Sequence, residues 1–456
     1  MGPRISVVGC GYLGATHAVG MAELGFDVVG LDVDEAKVTA LQEARPPFFE
    51  PGLEPLLRKH VESGRLRFTT SFEEVADHAD VHFLCVSTPQ RDGEFAADVS
   101  YLDAAVESLA PLLHRPCLVV GKSTVPVGTA ARLAERICAL APVGDAALLA
   151  WNPEFLREGY AIEDTLRPGR LVFGLPSGDS ATRAEGVLRK VYAEPIALGT
   201  PVVLGDLATA ELAKSAANAF LATKISFINA MAELCEATGA DVTVLADAIG
   251  HDPRIGRQFL NAGLGFGGGC LPKDIRGFMA RAGELGAGDA LTFLREVDAI
   301  NQRRRVRAVD MAAELLDRPW PGSKVAVLGA AFKPDSDDIR DSPALNVAGR
   351  LHLFGAHVTV HDPQALDNAR RSWPTLSYSD TVRGACTGAH LVLVLTEWAQ
   401  YRDLEPESLK EVVATPSIVD GRNCLDPGAW SSAGWTYRAL GRPLLAGRAV
   451  STPPPS

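Results

Sequence analysis

The sequence predicts an α/β protein in which two Rossmann-like doubly wound domains are joined by a long central helix. Three observations predict it. Short apolar runs alternate with helical periodicity across the first third of the chain. The same alternation resumes near Lys324. Between them runs ATAELAKSAANAFLATKISFINAMAELCEATG, nearly free of helix breakers, which reads as one helix of about 30 residues stopping at Gly239. A chain of 456 residues, 47% apolar and 22% charged, is long enough for more than one full core. The expected division is 1–202 for the first domain, 203–302 for a central helical region and 303–448 for the second domain. Residues 449–456, which include STPPPS, are expected to be a disordered tail.

In the first domain, apolar runs at 5–8, 28–31, 81–86 and 117–121 read as buried parallel strands, since a strand covered on both faces shows no polar alternation. Ala15 to Leu24 and Tyr101 to Ala110 carry helical periodicity between them. The long central helix is of the kind that bridges domains or builds an oligomer interface, so a homodimer or higher homo-oligomer is expected. RRRVR at 303–307 reads as a solvated helix face, and Pro319 to Gly322 as a boundary turn. The second domain opens on the strand KVAVLG and returns in HVTVHD. GFDVVGLD at 25–32 and GAHVTVHD at 355–362 share a glycine, an apolar strand and a terminal Asp, a likeness of architecture rather than a short repeat. HLVLVLT at 390–396 and IVDG at 418–421 supply later strands.

The formal charge of -12 argues against general affinity for nucleic acid or anionic membrane, while leaving room for an anionic small ligand at a helix N-terminus. ISVVG begins within a few residues of Met1, so no signal peptide is read, and no apolar stretch is long enough to cross a bilayer. The eight cysteines show no close C-x-x-C pairing, so neither a metal cluster nor a disulfide scaffold is expected. Reduced thiols in the cytoplasm are the simplest reading.

Gly9-Cys10-Gly11-Tyr12-Leu13-Gly14 follows a strand and opens a helix, the setting in which glycines let the backbone approach a pyrophosphate. Asp32 ends the next strand, where a carboxylate accepts from a ribose and repels a 2'-phosphate, so NAD is favoured over NADP. Ser87-Thr88-Pro89 and Ser123-Thr124-Val125-Pro126 follow strands, at the sheet edge where ligands bind; capping and turn chemistry is the competing reading. NPEFLREG places Glu154 and Glu158 four apart, either to handle water or a ribose, or as a solvated first helical turn. Lys214 and Asn218 share a face of the long helix and are read as oxyanion donors or as an interface lysine and its neighbour. GFGGGC followed by LPKD sets Cys270 in a glycine-rich loop just before Lys273 and Asp274, where a thiolate nucleophile is favoured. Cys85, Cys117 and Cys235 read instead as buried small hydrophobes. FKPDSDDIR offers Lys333 and Arg340 to phosphates, and DGR offers Arg422; each alone also fits a surface charge.

Taken in order, GCGYLG, EPGL, VSTP, KSTVP, NPEFLREG, AKSAANAFLATKISFINA, DPRIGRQFLNAGLGFGGGCLPKD, FKPDSDDIRDSP and DGR resemble the UDP-glucose 6-dehydrogenases, whose wider family includes GDP-mannose and UDP-N-acetylmannosamine dehydrogenases. The resemblance spans residue 5 to about 425. It implies NAD-dependent, four-electron oxidation of a nucleotide sugar at its 6-position, UDP-glucose first, with dTDP-glucose, GDP-mannose or UDP-N-acetylmannosamine as alternatives. It implies Cys270 as the nucleophile that carries a thiohemiacetal and then a thioester, Thr124 and Asp274 positioning water, Glu154 assisting hydrolysis, and Lys214 and Asn218 stabilising the oxyanion. By the same resemblance NAD is contacted by Gly9, Gly11, Tyr12, Leu13, Gly14, Asp32, Lys37, Thr88, Pro89, Thr124, Glu158, Cys270, Lys273 and Arg340. The sugar nucleotide is contacted by Glu154, Phe155, Leu156, Lys214, Asn218, Arg254, Phe259, Asn261, Gly263, Gly265, Phe266, Gly267, Phe332, Lys333 and Arg422. No metal is implied. In the family the position of Arg254 reaches across a dimer interface. Gly269 stands where the family usually has Ser, which removes one hydroxyl donor beside the nucleophile. LPKD replaces the commoner FPKD.

Overall fold

The protein, described here by a computed structural model, is traced over residues 2–443, so the tail expected at 449–456 lies outside the described residues. Strands β1 (Ile5–Val8), β2 (Val28–Leu31), β3 (Leu66–Thr69), β4 (Val81–Leu84), β5 (Cys117–Gly121), β6 (Ala147–Trp151), β7 (Leu171–Leu175) and β8 (Val202–Asp206) form one sheet in the order β3-β2-β1-β4-β5-β6-β7-β8. Its pairings are parallel except β6 with β7, which meet antiparallel at Trp151 and Gly174. Strands β9 (Lys324–Leu328), β10 (His357–His361), β11 (Ser377–Tyr378), β12 (Leu391–Val394), β13 (Ser417–Asp420) and β14 (Thr436–Ala439) form a second, parallel sheet in the order β11-β10-β9-β12-β13-β14. In each sheet the first strand lies between its second and a later one, the topological switch point at which doubly wound folds bind ligands. These are the two Rossmann-like domains that the alternating pattern predicts.

The central strands are buried because they are apolar on both faces, whereas the edge strand β8 leaves Val203 and Leu204 exposed. Ser6 of β1 stands opposite His82 of β4, and their side chains meet at 2.8 Å. By internal contacts the chain divides into two compact units. One runs to Asn218 and includes Lys273–Asp289; the other comprises Ala219–Pro272 and continues from Ala290. The long helix is Leu207–Thr238, and the chain leaves it through Gly239 at φ 76°, the left-handed turn that glycine adopts without a Cβ penalty. Phe220, Phe227 and Leu234, seven residues apart, are exposed along it. Among the described residues no helix is long and apolar enough to cross a membrane.

Two local expectations are corrected. RRRVR is not a solvated face: in the helix Phe293–Leu315, Arg304 and Arg305 are buried. They lie one turn before Ala308 and Val309, on the face that enters the core. Arg304 sits 3.8 and 3.7 Å from Glu233 and Glu236, and Arg305 pairs with Asp341 at 2.8 Å. NPEFLREG is not a helical turn either; the next helix starts at Ala161, because Glu154 bonds its own loop instead.

Candidate functional site

The glycine-rich turn is set by steric necessity. Gly9 has φ 89°, and a Cβ on Gly14 would lie 1.7 Å from the Gly9 carbonyl oxygen. The helix Tyr12–Glu23 therefore starts hard against the turn, and its Gly11 cap has no side-chain acceptor, which leaves the first amides for an anion. Leu13 packs into the domain core. Asp32 is buried after β2; its Oδ2 accepts from the Cys10 amide and from Lys37 Nζ, both at 2.9 Å. An acid with one cation beside it fits a ribose diol.

At the carboxyl edge of the sheet, the Thr88 hydroxyl donates to the Thr124 carbonyl at 2.6 Å, and the Ser123 hydroxyl donates to the Val86 carbonyl at 2.6 Å. Both hydroxyls thus tie the loops after β4 and β5 together. The Pro89 carbonyl accepts from the Asp98 amide at 2.7 Å. Thr124 lines an open cleft with Ser215, Lys273 and Asp274. Lys273 and Asp274 stand in the first turn of the helix Leu271–Glu284, which begins immediately after Cys270. Asn218 donates to Asp274 Oδ2 at 2.6 Å, and Lys273 lies 2.9 Å from Asp274 Oδ1. The positive end of that helix favours the Asp274 carboxylate.

Glu154 is held from two sides. Its Oε1 accepts from the Phe155 and Leu156 amides at 2.8 and 3.0 Å, and its Oε2 lies 2.9 Å from Lys122. The Lys214 ammonium is 5.4 Å from the Phe155 ring centre, which Arg170 also covers at 3.7 Å. Glu158 is buried. Sequence reasoning missed Lys122 and Glu50. Glu50, in EPGL, accepts from the amides of Gly159 and Ala161 at 2.7 Å each and from the Tyr12 hydroxyl. Burial and the Glu50 carboxylate push the Tyr12 phenol up. Lys122 had a visible signal, a lysine directly after the apolar run LVVG. Burial is the largest single influence and opposes its charge, but the Glu154 carboxylate, together with Tyr192 and Cys85 beside it, outweighs burial and holds the ammonium pKa above the ordinary value.

In the second unit the loop before Cys270 is clamped by buried side chains. Asn229 Oδ1 accepts from the Gly263 amide at 2.9 Å. Asn301 accepts from the Phe266 amide at 2.8 Å and donates to its carbonyl at 2.9 Å. A Cβ on Gly265, at φ 92°, would lie 2.4 Å from Asn301 Oδ1, and one on Gly267 would lie 2.4 Å from the Asp341 carbonyl oxygen. Arg422 donates to the carbonyls of Gly265, Phe332 and Leu395 at 2.9, 3.2 and 2.9 Å, so the structure joins it to the loop and to Phe332. Lys333 Nζ lies 5.8 Å from the Phe332 ring centre. Asn261 accepts from Arg257 at 2.7 Å, and Phe259 is half-exposed at φ 65°. Arg254 is exposed and paired with Asp252, and Arg340 is paired with Asp338. A Cβ on Gly269 would lie 2.3 Å from the Arg340 guanidinium carbon. Cys270 is exposed, while Cys10, Cys85, Cys235 and Cys386 are buried and Cys117 is half-buried. Burial pushes the Cys85 and Cys386 thiols up to about 12 and the Cys117 thiol up to about 11.

Comparison with known proteins names the arrangement. Residues 3–196 match the NAD binding domain of the UDP-glucose/GDP-mannose dehydrogenase family, 208–303 its central domain and 326–427 its UDP binding domain. The chain is 41% identical over 441 residues to a UDP-glucose 6-dehydrogenase of Rhizobium meliloti (strain 1021), covering 96% of this chain and 100% of that protein. It is 39% identical to a UDP-glucose 6-dehydrogenase of Pseudomonas aeruginosa, covering 96% and 98%. Its structure is similar to a UDP-glucose dehydrogenase from Pyrobaculum islandicum, with TM-score 0.87, 38% identity and coverage of 97% and 98%. It is also similar to a UDP-D-ManNAc dehydrogenase from Pyrococcus horikoshii, with TM-score 0.83, 27% identity and coverage of 96% and 99%. With its domains matched in order along nearly the whole chain, the protein belongs to the UDP-glucose/GDP-mannose dehydrogenase family.

Proposed function

We propose that the protein is an NAD-dependent UDP-glucose 6-dehydrogenase that converts UDP-glucose to UDP-glucuronate. The observation that carries this reading is the exposed Cys270 thiol at the end of a rigid glycine-rich loop, one helical turn before Lys273 and the Asn218-bonded Asp274. Gly9, Gly11, Gly14, Asp32 and Lys37 are the residues that would hold NAD, each molecule of which would accept one hydride, so that the two oxidations would use two NAD molecules in succession. Once the 6-hydroxyl carbon is an aldehyde, the Cys270 sulfur adds to it, and Lys214 and Asn218 donate to the oxygen that gains charge. The thiohemiacetal holds the carbon in an alcohol-like state, so its oxidation repeats the first step and leaves a thioester. Thr124 and Asp274 orient water, and Glu154 assists its attack.

UDP-glucose is favoured over other nucleotide sugars by DPRIG and FLNAGLGFGG and by the names of the similar curated proteins. The test is a substrate panel: kcat/KM should be highest for UDP-glucose. A higher value for dTDP-glucose, GDP-mannose or UDP-N-acetylmannosamine would reassign the substrate. The exposed stripe of Phe220, Phe227 and Leu234 supports a homodimer through the long helix. The free thiols fit the cytoplasm, where they stay reduced.

A further inference from the structure

We propose that Lys122 is a positioning residue for hydrolysis of the Cys270 thioester, acting through Glu154; this rests on the reading of Glu154 as the group that assists the attacking water. Lys122 leaves the end of β5 and is 4% exposed. A buried ammonium is stable only when its charge and all three N–H groups are matched. Three acceptors surround it: Glu154 Oε2 at 2.9 Å, Asn152 Oδ1 at 3.2 Å and Tyr192 Oη at 3.4 Å. These partners are themselves fixed. The Tyr192 hydroxyl donates to Asn152 Oδ1 at 2.6 Å, and Asn152 donates to the Val172 carbonyl at 3.0 Å. The Phe83 and Tyr192 rings stand 6.0 and 5.9 Å from the ammonium, so it has little freedom to turn.

The consequence falls on Glu154. A carboxylate has about four acceptor positions. The Phe155 and Leu156 amides take the two on Oε1, and Lys122 takes one on Oε2. One position remains, on Oε2, and Lys122 sets its direction. In the hydrolysis, a water oxygen bonds to the thioester carbonyl carbon, the C–S bond breaks, and the sulfur leaves as thiolate with the bonding pair. The proton lost by the water passes to Glu154 and on to solvent, and no electrons are exchanged with a carrier. A purely structural ion pair would matter equally to every step; a positioning lysine matters to this one.

The test uses the full-length enzyme with UDP-glucose and NAD, comparing Lys122→Met, Glu154→Gln and the double variant by pre-steady-state NADH formation and by KM. In Lys122→Met the rapid NADH burst and the KM values should stay near wild type, while the steady rate after the burst falls roughly 100-fold, the scale of a misplaced catalytic group. The double variant should be no slower than Glu154→Gln within about threefold, because both changes act through one carboxylate. Wild-type hydrolysis in Glu154→Gln would remove the reading beneath the proposal. Slow hydrolysis in Glu154→Gln beside a wild-type steady rate in Lys122→Met, or loss of burst and steady rate together in Lys122→Met, would overturn the proposal alone. If Lys122→Met does not fold, Tyr192→Phe keeps the ring and removes one acceptor; it should slow the same step by about tenfold, and an unchanged step would overturn the proposal.

Discussion

Gly269 shows how a single residue departs from a family pattern without loosening its surroundings. The space where a side chain would begin is filled by the end of Arg340, a flexible arm that can move aside. Gly269→Ser should therefore change stability by no more than about 0.5 kcal/mol, measured by urea unfolding; a loss of several times that would mean the glycine is required by the loop. His17 is the opposite case, a buried imidazole whose ring nitrogens both lack a hydrogen-bond partner among the described residues, set edge-on to Phe83 at 4.4 Å. Burial holds its pKa well below the ordinary value, and burial depresses His82 to about 4. The unfolded chain then binds more protons than the native one below about pH 6.5, so stability should fall with pH toward 4, by about 1.4 kcal/mol per unit for each histidine. Thermal unfolding between pH 7 and pH 5 should show this slope, and His17→Leu should flatten it. An unchanged slope would contradict the assignment. Cys270 was legible at this scale because four glycines and LPKD set it apart from seven other thiols. Lys122, Glu50 and Asn301 were not, because their partners lie far away in sequence and only the fold brings them together.

Among elements, the glycine-rich loop owes its shape to residues outside it. Asn301, fully buried, makes two bonds to Phe266, while Arg422 takes the Gly265 carbonyl. Asn301→Ala should cost roughly 2–3 kcal/mol, since it leaves the buried Phe266 amide unpaired and its carbonyl with only the long bond from Arg305; it should also lower kcat more than Gly269→Ser does. Wild-type stability by urea unfolding would contradict the clamp. The strands and the long helix were legible because burial on both faces and freedom from breakers leave a direct mark on composition. The inward turn of Arg304 and Arg305 was not, since charge run together reads as surface until the apolar face one turn on is seen to enter a core. The two Asp-ended strands also diverge. Asp32 keeps a lysine partner at the mouth of the first domain, whereas Asp362 is consumed internally by the amides of Ala330 and Ala331 and by Trp398. The likeness of GFDVVGLD to GAHVTVHD was thus one of architecture, as expected, and the second acid is fully occupied within its own fold.

For the molecule as a whole, the long helix with Phe220, Phe227 and Leu234 exposed at heptad spacing supports assembly of two copies. For the dimer proposed above, Phe227→Asp should shift sedimentation toward monomer; a dimer of unchanged affinity would move the interface elsewhere. The central claim is that one chain performs two oxidations on one sugar through Cys270. It is tested most directly by counting NADH formed per UDP-glucose consumed in the wild type and in Cys270→Ser. The account predicts two NADH per sugar and UDP-glucuronate as product for the wild type, with no acid released by Cys270→Ser. One NADH per sugar in the wild type, or undiminished acid formation in Cys270→Ser, would contradict it.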